Sequence, residues 1–442
     1  MNRSPLNRHE FAIALKKGQG RALLHAMQHG IEGLDDLILD ACIHNQSYDA
    51  QIESSRASWL LQMLNDSIYY QRISKSILNK LKVETDTWDL LQLCNFAREM
   101  AANGNLEANR ILKERVFEIA SIPSSDDSIV AELWVEVEDI PGFLDLARVY
   151  GKRLLIDPND FVPDGFSQKE YRDALLQSAK NEREIEAYLN YLEARGVFDP
   201  RPTKEDREAA RKIRHEEFRR EYSLERILRD AKGKKGEFPG RYLAFGRSAT
   251  AEELKTVYDH LLTEIDPAVR LRLLWVFRRA PLPKLDKRIL EWAEGEDKEL
   301  RAASINALAQ ISDAQIHELA LSKLRAGKVL GADSDLIELF TNNFEETDCD
   351  EIDRALALSK PDWEDAHSLG FSILILSEKQ QNTKLANALQ WVYENTPCSN
   401  CRFKAIRQLE AWHVLSEEVL YECRFDAEED IRNFAIRIHM EK

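Results

Sequence analysis

Apolar residues in this chain recur three and four positions apart, the spacing that lines one face of an α-helix. The pattern is plainest between residues 250 and 442. There an acid, an arginine four residues on, and then apolar or small positions form a recurring block. Asp266 and Arg270 lead Leu273, Leu274 and Phe277, and Asp297 and Arg301 lead Ser304, Ile305 and Leu308, with the two arginines 31 residues apart. Nearer the C-terminus Arg402 leads Ala405, Ile406 and Leu409, and 30 residues later Arg432, behind Glu428, leads Ala435, Ile436 and His439. Between these blocks the pattern weakens. His367 fills the arginine slot before Gly370, Phe371 and Leu374, and a poorer copy starts near Asp333.

Positions three, four and seven after the arginine share a face, so each block predicts an amphipathic helix with a small residue where a neighbour approaches closely. Shorter apolar segments follow, such as Ile289, Leu290 and Ala293, or Ile316, Leu319, Ala320 and Leu324. The unit is therefore helix, turn, helix. Such a pair cannot bury its apolar face until the next pair stacks on it. Arg270 and Arg301 are expected to reach acids such as Asp266 and Asp297.

The runs Asp266-Pro267-Ala268-Val269-Arg270 and Glu299-Leu300-Arg301-Ala302-Ala303 resemble the start of the second helix of a HEAT repeat. That resemblance covers residues 250–442. It implies an all-α fold, an α-solenoid of stacked antiparallel helix pairs, that binds other macromolecules along a face or groove; it implies no chemistry.

Residues 1–200 also read as helical, with an irregular period: Trp59, Leu60, Met63 and Leu64 form one face, Trp88, Leu91, Leu93 and Phe96 a second, and Ile111, Leu112, Val116 and Ile119 a third. Arg56 imitates the arginine slot. This segment is assigned to divergent helical repeats. Turn-forming residues cluster at Ile122 to Ser125, Asp157 to Gly165 and Asp199 to Pro202, and the last is the preferred boundary. A basic charged helix and flexible connector are expected over 201–249, with one polar helix from about Thr203 to Ala231 and a flexible run at Gly233 to Gly236. The C-terminal HEAT-like repeats then occupy 250–442.

A length of 442 residues exceeds what one compact core fills, and 17 Gly with 13 Pro are few for a strand-rich chain, so growth by repetition is favoured. The net charge of −16 excludes a surface that tracks nucleic acid or an anionic membrane throughout. No apolar run approaches the ~20 residues that cross a bilayer, and Met1 to Gly20 mixes charges with apolar positions, so a soluble cytoplasmic protein is expected. Six scattered cysteines (Cys42, Cys94, Cys349, Cys398, Cys401, Cys423) read as reduced thiols.

Against that acidity, Arg201 to Arg247 holds 15 Lys or Arg and 9 Asp or Glu. Candidate contacts to an anionic partner are Arg214, Arg219, Arg220, Lys232, Lys234, Lys235, Arg241 and Arg247. The plainer reading is a solvated helix whose charges pair four apart, as Glu208 with Lys212 and Glu216 with Arg220 could. Tyr222, Phe238 and Tyr242 suit base stacking or helix anchoring equally. The one spacing that suggests metal or redox chemistry is Cys398-Ser399-Asn400-Cys401. Thr396 and Pro397 suit the cap and first position of a helix, which would put both thiols in its first turn, where thiolates are favoured. Zinc would need two further ligands, and His413 with Cys423 is the obvious local supply. Small buried packing residues are the plainer reading, leaving both cysteines dispensable.

No glycine-rich phosphate loop, nucleophile elbow or paired-histidine metal signature is present. Asp157-Pro158-Asn159-Asp160 breaks calcium-loop spacing because Phe161 stands where an oxygen is needed. His25, His29, His44 and His260 read as surface or boundary residues, and Trp275, Trp292, Trp363, Trp391 and Trp412 as core packing. No catalytic residue, metal or cofactor is expected. The expected function is a non-enzymatic scaffold for a partner protein or peptide. The alternative is a nucleic-acid-binding HEAT-like protein, related in fold to alkylpurine DNA glycosylases, and a third is a lyase or chaperone resembling bilin-attachment proteins.

Overall fold

The computed structural model describes residues 4–65, 67–123, 128–233, 239–326 and 334–441. Among the described residues every regular element is helical and no strand forms. The first ten helices are α1 (Arg8–Lys17), α2 (Gly20–His29), α3 (Asp35–Ile43), α4 (Ala57–Leu64), α5 (Tyr70–Leu81), α6 (Thr87–Ala102), α7 (Leu106–Ala120), α8 (Ser128–Ile156), α9 (Lys169–Ser178) and α10 (Arg183–Ala194). There follow α11 (Lys204–Glu221), α12 (Leu224–Lys232), α13 (Pro239–Ser248), α14 (Ala251–Thr263), α15 (Pro267–Phe277), α16 (Lys287–Glu294), α17 (Lys298–Leu308) and α18 (Ala314–Arg325). The last six are α19 (Asp348–Leu358), α20 (Trp363–Gln380), α21 (Ala386–Asn395), α22 (Ser399–Ala411), α23 (Glu417–Cys423) and α24 (Glu429–Glu441). Short 3₁₀ helices lie at Ser334–Thr341 and Thr383–Leu385. Among the described residues no helix is long and apolar enough to cross a membrane.

The chain forms two compact units, one of Met1–Arg201 with Glu417–Lys442, the other of Pro202–Ser416. In the first unit α2, α4, α6 and α8 touch in succession, as do α1, α3, α5 and α7, and each even helix packs on the odd one before it. That two-row order explains the apolar faces of this half, since Trp59, Leu60, Met63 and Leu64 all point into the core between rows. Helix α8 breaks at Asp139, whose φ of 53° is left-handed, and Pro141 follows two residues on. Proline has no N–H to continue the ladder, so the break has a local cause.

The C-terminal pair α23 and α24 docks onto the start of the same unit. Trp59 Nε1 donates to the Phe425 carbonyl at 2.8 Å, Arg21 pairs with the buried Glu422 at 2.7 Å, and the Ala427 N–H donates to the Gly18 carbonyl at 2.8 Å. Ser54 donates to Glu428 from both its N–H and its hydroxyl. In the loop after α8, Asp160 is buried against Arg153 at 2.8 Å, so this acid of the Asp157 to Asp160 run holds the loop to its helix. Of the histidines read as surface or boundary residues, His25 is buried, and its Nδ1 accepts the Leu6 N–H at 3.0 Å.

In the second unit the same order recurs. Helices α13, α15 and α17 stand side by side, followed by the 3₁₀ helix Ser334–Thr341, α20 and α22. Helices α14, α16, α18 and α21 pack on α15, α17, the 3₁₀ helix and α22 respectively, and α19 packs between α18 and α21. The weak copy expected near Asp333 begins outside the described residues, and the 3₁₀ helix that follows takes the second-helix place between α17 and α20.

The acid and the arginine of the repeated block have separate tasks. Asp266 and Asp297 accept the first backbone N–H groups of α15 and α17, which otherwise lack partners. Arg270 does not pair with Asp266: its Nε donates at 2.8 Å to the Glu264 carbonyl, six residues earlier, and its guanidinium lies over the Trp292 ring. Arg301 donates to the Gly295 carbonyl and Arg432 to the Asp426 carbonyl, again six residues earlier. Each arginine thus ties the second helix of a pair to the turn that feeds it.

Leu273, Leu274, Phe277, Ser304, Ile305, Leu308, Ala405, Ile406 and Leu409 are all buried. Phe371 and Ile436, expected on the same face, are exposed, and α24 buries Ile431, Phe434 and Ala435 instead. The single polar helix expected over 203–231 is two helices, because Ser223 turns the chain and accepts the Arg226 N–H to start α12.

Two consequences can be measured. A Cβ on Gly246 of α13 would lie 2.1 Å from the Val276 carbonyl of α15, with backbone on both sides of the clash. Gly246→Ala is therefore expected to cost about 1–3 kcal/mol in a denaturant titration. In the first unit Lys80, together with the Thr85 and Asp86 N–H groups, holds the Glu84 carboxyl down to about 2 from its ordinary 4.5. A carboxyl lowered by folding stabilises fully above its unfolded value and loses that contribution as pH falls. Glu84→Gln should flatten the loss of stability between pH 4.5 and about 2, and an unchanged pH profile would remove Glu84 from the account.

Candidate functional site

Three features of the second unit, each built on its helix starts, bear on function. The first is the basic segment. Arg214 and Arg220 lie on α11, a helix with no buried residue, and are exposed, as are Lys232 and Arg247. Lys234, Lys235 and Phe238 lie outside the described residues. Arg219 and Arg241 are engaged within the fold. Arg219 pairs with Glu253 at 2.9 Å and lies over Phe245, while Arg241 pairs with Asp230 at 3.1 Å and lies over Tyr222. Glu253 also belongs to the capping box of α14, so Arg219 is tied to a helix start. Tyr242 is fully buried and stacks near Trp275, which makes it a helix anchor and not a base-stacking platform.

The second feature is a groove of about 600 Å³ running over α15 and α17, with Pro239 of α13 at one end. Its walls are Leu271, Arg272 and Trp275 from α15, Arg278 at the C-cap of that helix, and Glu299, Ala302, Ala303 and Asn306 from α17. Alanines at adjoining positions leave the space that a larger side chain would fill. Arg272 is anchored by donating to the Ala231 carbonyl at 2.7 Å, whereas Arg278 is exposed. Trp275 is half-buried and lines the opening, so it is not the core residue expected. Trp292, Trp363, Trp391 and Trp412 are half-buried too. An indole combines a large apolar ring with an N–H that needs a partner, which favours such boundary positions; Trp412 Nε1, for example, donates to Gln381 at 3.3 Å.

The third feature is a cluster of sulfur and imidazole. Cys398 is the N-cap of α22, two residues beyond the expected cap, because Thr396 instead closes α21 by donating its hydroxyl to the Val392 carbonyl. Cys401 follows in the first turn, and the Cys401 Sγ lies 3.7 Å from Nδ1 of His367 on α20. Ligand atoms of His367, Cys398 and Cys401 all fall within 4.8 Å of one another. Neither His413 nor Cys423, the partners expected for a metal site, belongs to this group. The Cys401 thiol donates to Cys398 and, with His367 beside it, holds the Cys398 thiol well below its ordinary 9.0. The same hydrogen bond, together with burial, pushes Cys401 up. By contrast burial alone pushes the Cys42 thiol up, and burial, partly offset by Arg115, raises Cys94 to about 12.

His367 was recognisable in the sequence as the occupant of an arginine slot, but not as a neighbour of the cysteines. Aligning slots of successive second helices would have found it, since α20 and α22 touch. No protein-family model matches this chain, and no curated protein matches it.

The basic segment carries a test of its own. Arg219→Ala should lower stability by about 1 kcal/mol, the order of a half-exposed ion pair, while Arg214→Ala and Arg220→Ala should leave the melting temperature unchanged. Equal effects at all three positions would mean that Arg219 is not anchored as described.

Proposed function

We propose that the chain is a non-enzymatic, HEAT-like α-solenoid scaffold that binds a partner protein or peptide, with the groove over α15 and α17 as the docking site. The carrying observation is Trp275, half-exposed in an open groove that Arg272, Arg278, Ala302 and Ala303 also line. Tryptophan and arginine are the residues most enriched among those that dominate binding energy. The side-by-side order of second helices supports the solenoid reading, because it is how helix pairs bury apolar faces one on the next. Two groove arginines against one glutamate favour a partner segment with acidic residues. Exposed Arg214 and Arg220 in the same unit add long-range attraction for such a partner. Six buried cysteines, none in a disulfide, support a reducing compartment, the cytoplasm.

The test begins with partners captured on the full chain, identified by mass spectrometry and then purified for titration. Trp275→Ala with Arg278→Glu should weaken the true partner by roughly 30-fold or more, the order for a central aromatic anchor. Arg214→Glu with Arg220→Glu should slow association with less effect on dissociation. Unchanged affinity in the groove variant would end this assignment. Tight, steeply salt-dependent binding to duplex DNA would instead favour the nucleic-acid alternative.

A further inference from the structure

We propose that His367, Cys398 and Cys401 form a binding site for a single zinc ion that ties α20 to the first turn of α22. The separations match what the ion needs. In a tetrahedral site with Zn–S near 2.3 Å and Zn–N near 2.0–2.1 Å, neighbouring sulfur and nitrogen ligands stand ~3.6 Å apart and two sulfurs ~3.8 Å apart. The Cys401 Sγ to His367 Nδ1 distance is 3.7 Å, and all three ligand atoms lie within 4.8 Å. Closing the cluster on an ion therefore requires shifts of about 1 Å or less.

The donor set is that of zinc and not of a hard cation. Two thiolates and an imidazole are soft or borderline ligands, whereas calcium and magnesium take oxygen. The position in the fold is also suited to thiolates, because both cysteines belong to the start of a helix, where backbone N–H groups point outward and the dipole favours negative charge. Elsewhere in this unit the cap place holds an aspartate that bonds those N–H groups, as Asp266 and Asp297 do. Cys398 puts a sulfur in that place, approached by the thiol and the N–H of Cys401 and by His367.

A two-cysteine redox pair would share the spacing. It would not need His367, which comes from a different helix, and it would need access for a partner thiol. Cys398 and Cys401 are only 6% and 4% exposed, too little for exchange with another protein. A metal ion needs no such access, and three protein ligands leave one of the four zinc positions for a water. On binding, each thiol still protonated releases its proton and gives its sulfur lone pair to the ion, with no electron transferred.

The experiment uses the full chain, reduced and stripped with a chelator, then titrated with zinc against a chromophoric competitor and, separately, with cobalt(II). One zinc per chain is expected, and the cobalt form should show thiolate-to-metal charge transfer and the strong visible bands of a tetrahedral ion. Cys401→Ser and His367→Gln should each weaken zinc by at least about tenfold, and Cys423→Ser, in the other unit, should not. Wild-type affinity in Cys401→Ser or His367→Gln, or a cobalt spectrum without thiolate charge transfer, overturns the site. A measurement that needs no variant uses diamide on the wild-type chain. Saturating zinc should slow formation of the Cys398–Cys401 disulfide at least tenfold, and an unchanged rate overturns the metal site.

Discussion

An arginine that reaches back to the carbonyl six residues before it recurs at the start of α15, α17 and α24. A carbonyl at the end of a turn has lost its helical partner, and a guanidinium supplies a charged donor that satisfies it while spanning the corner. The capping aspartates of α15 and α17 satisfy the N–H groups on the other side of the same corner. Together the two groups fix how the second helix leaves the turn, and that angle decides where its buried face lands. The row α13, α15, α17 follows from it, and so does the groove, whose walls are the faces that this row leaves uncovered.

Much of this was legible in the sequence because it is local. Capping acids, arginine spacing and apolar periodicity are properties of ten or fifteen consecutive residues, and the helices they predict are present with Leu273, Leu274, Phe277, Ile305 and Leu308 buried. What escaped depends on contacts between segments. Phe371 has the same spacing from its block as Ile305 has from Arg301, yet one faces solvent and the other the core. The arginine itself was found but its partner was misjudged, since a backbone carbonyl leaves no trace in the residue type that bears it. Helices α11 and α12 were merged because Ser223 is one polar residue among many, and only its hydrogen bond distinguishes it as a cap.

The same limit governs the candidate sites. Charge counts marked the basic segment but could not separate Arg219 and Arg241, held by Glu253 and Asp230, from Arg214 and Arg220, which face solvent. Trp275 was visible as a residue type, and its place at the mouth of a groove depends on alanines contributed by the next helix. His367 and Cys401 are 34 residues apart in the chain, and they meet because α20 and α22 touch. Where a repeat departs from its pattern, as a cysteine in the place of a capping acid, a histidine in the place of an arginine, the substituted groups meet in space and acquire chemistry that neither has alone.

The docking of α23 onto α2, and of the loop after it onto Trp59, has a temporal meaning as well. A ribosome delivers about 5–20 residues each second, so the start of the first unit emerges roughly 20–80 s before the segment that completes it. Throughout that interval the surfaces around Gly18, Gly20 and Trp59 stand open to water or to a chaperone, while the whole of the second unit is made. A stop codon or cleavage shortly before Glu417 would spare the second unit's own sequence and yet strand the first one unfinished. Loss of α23 and α24 is thus felt around Gly18 and Trp59, and quality control in the cell would read the missing pair as surface exposed on distant helices.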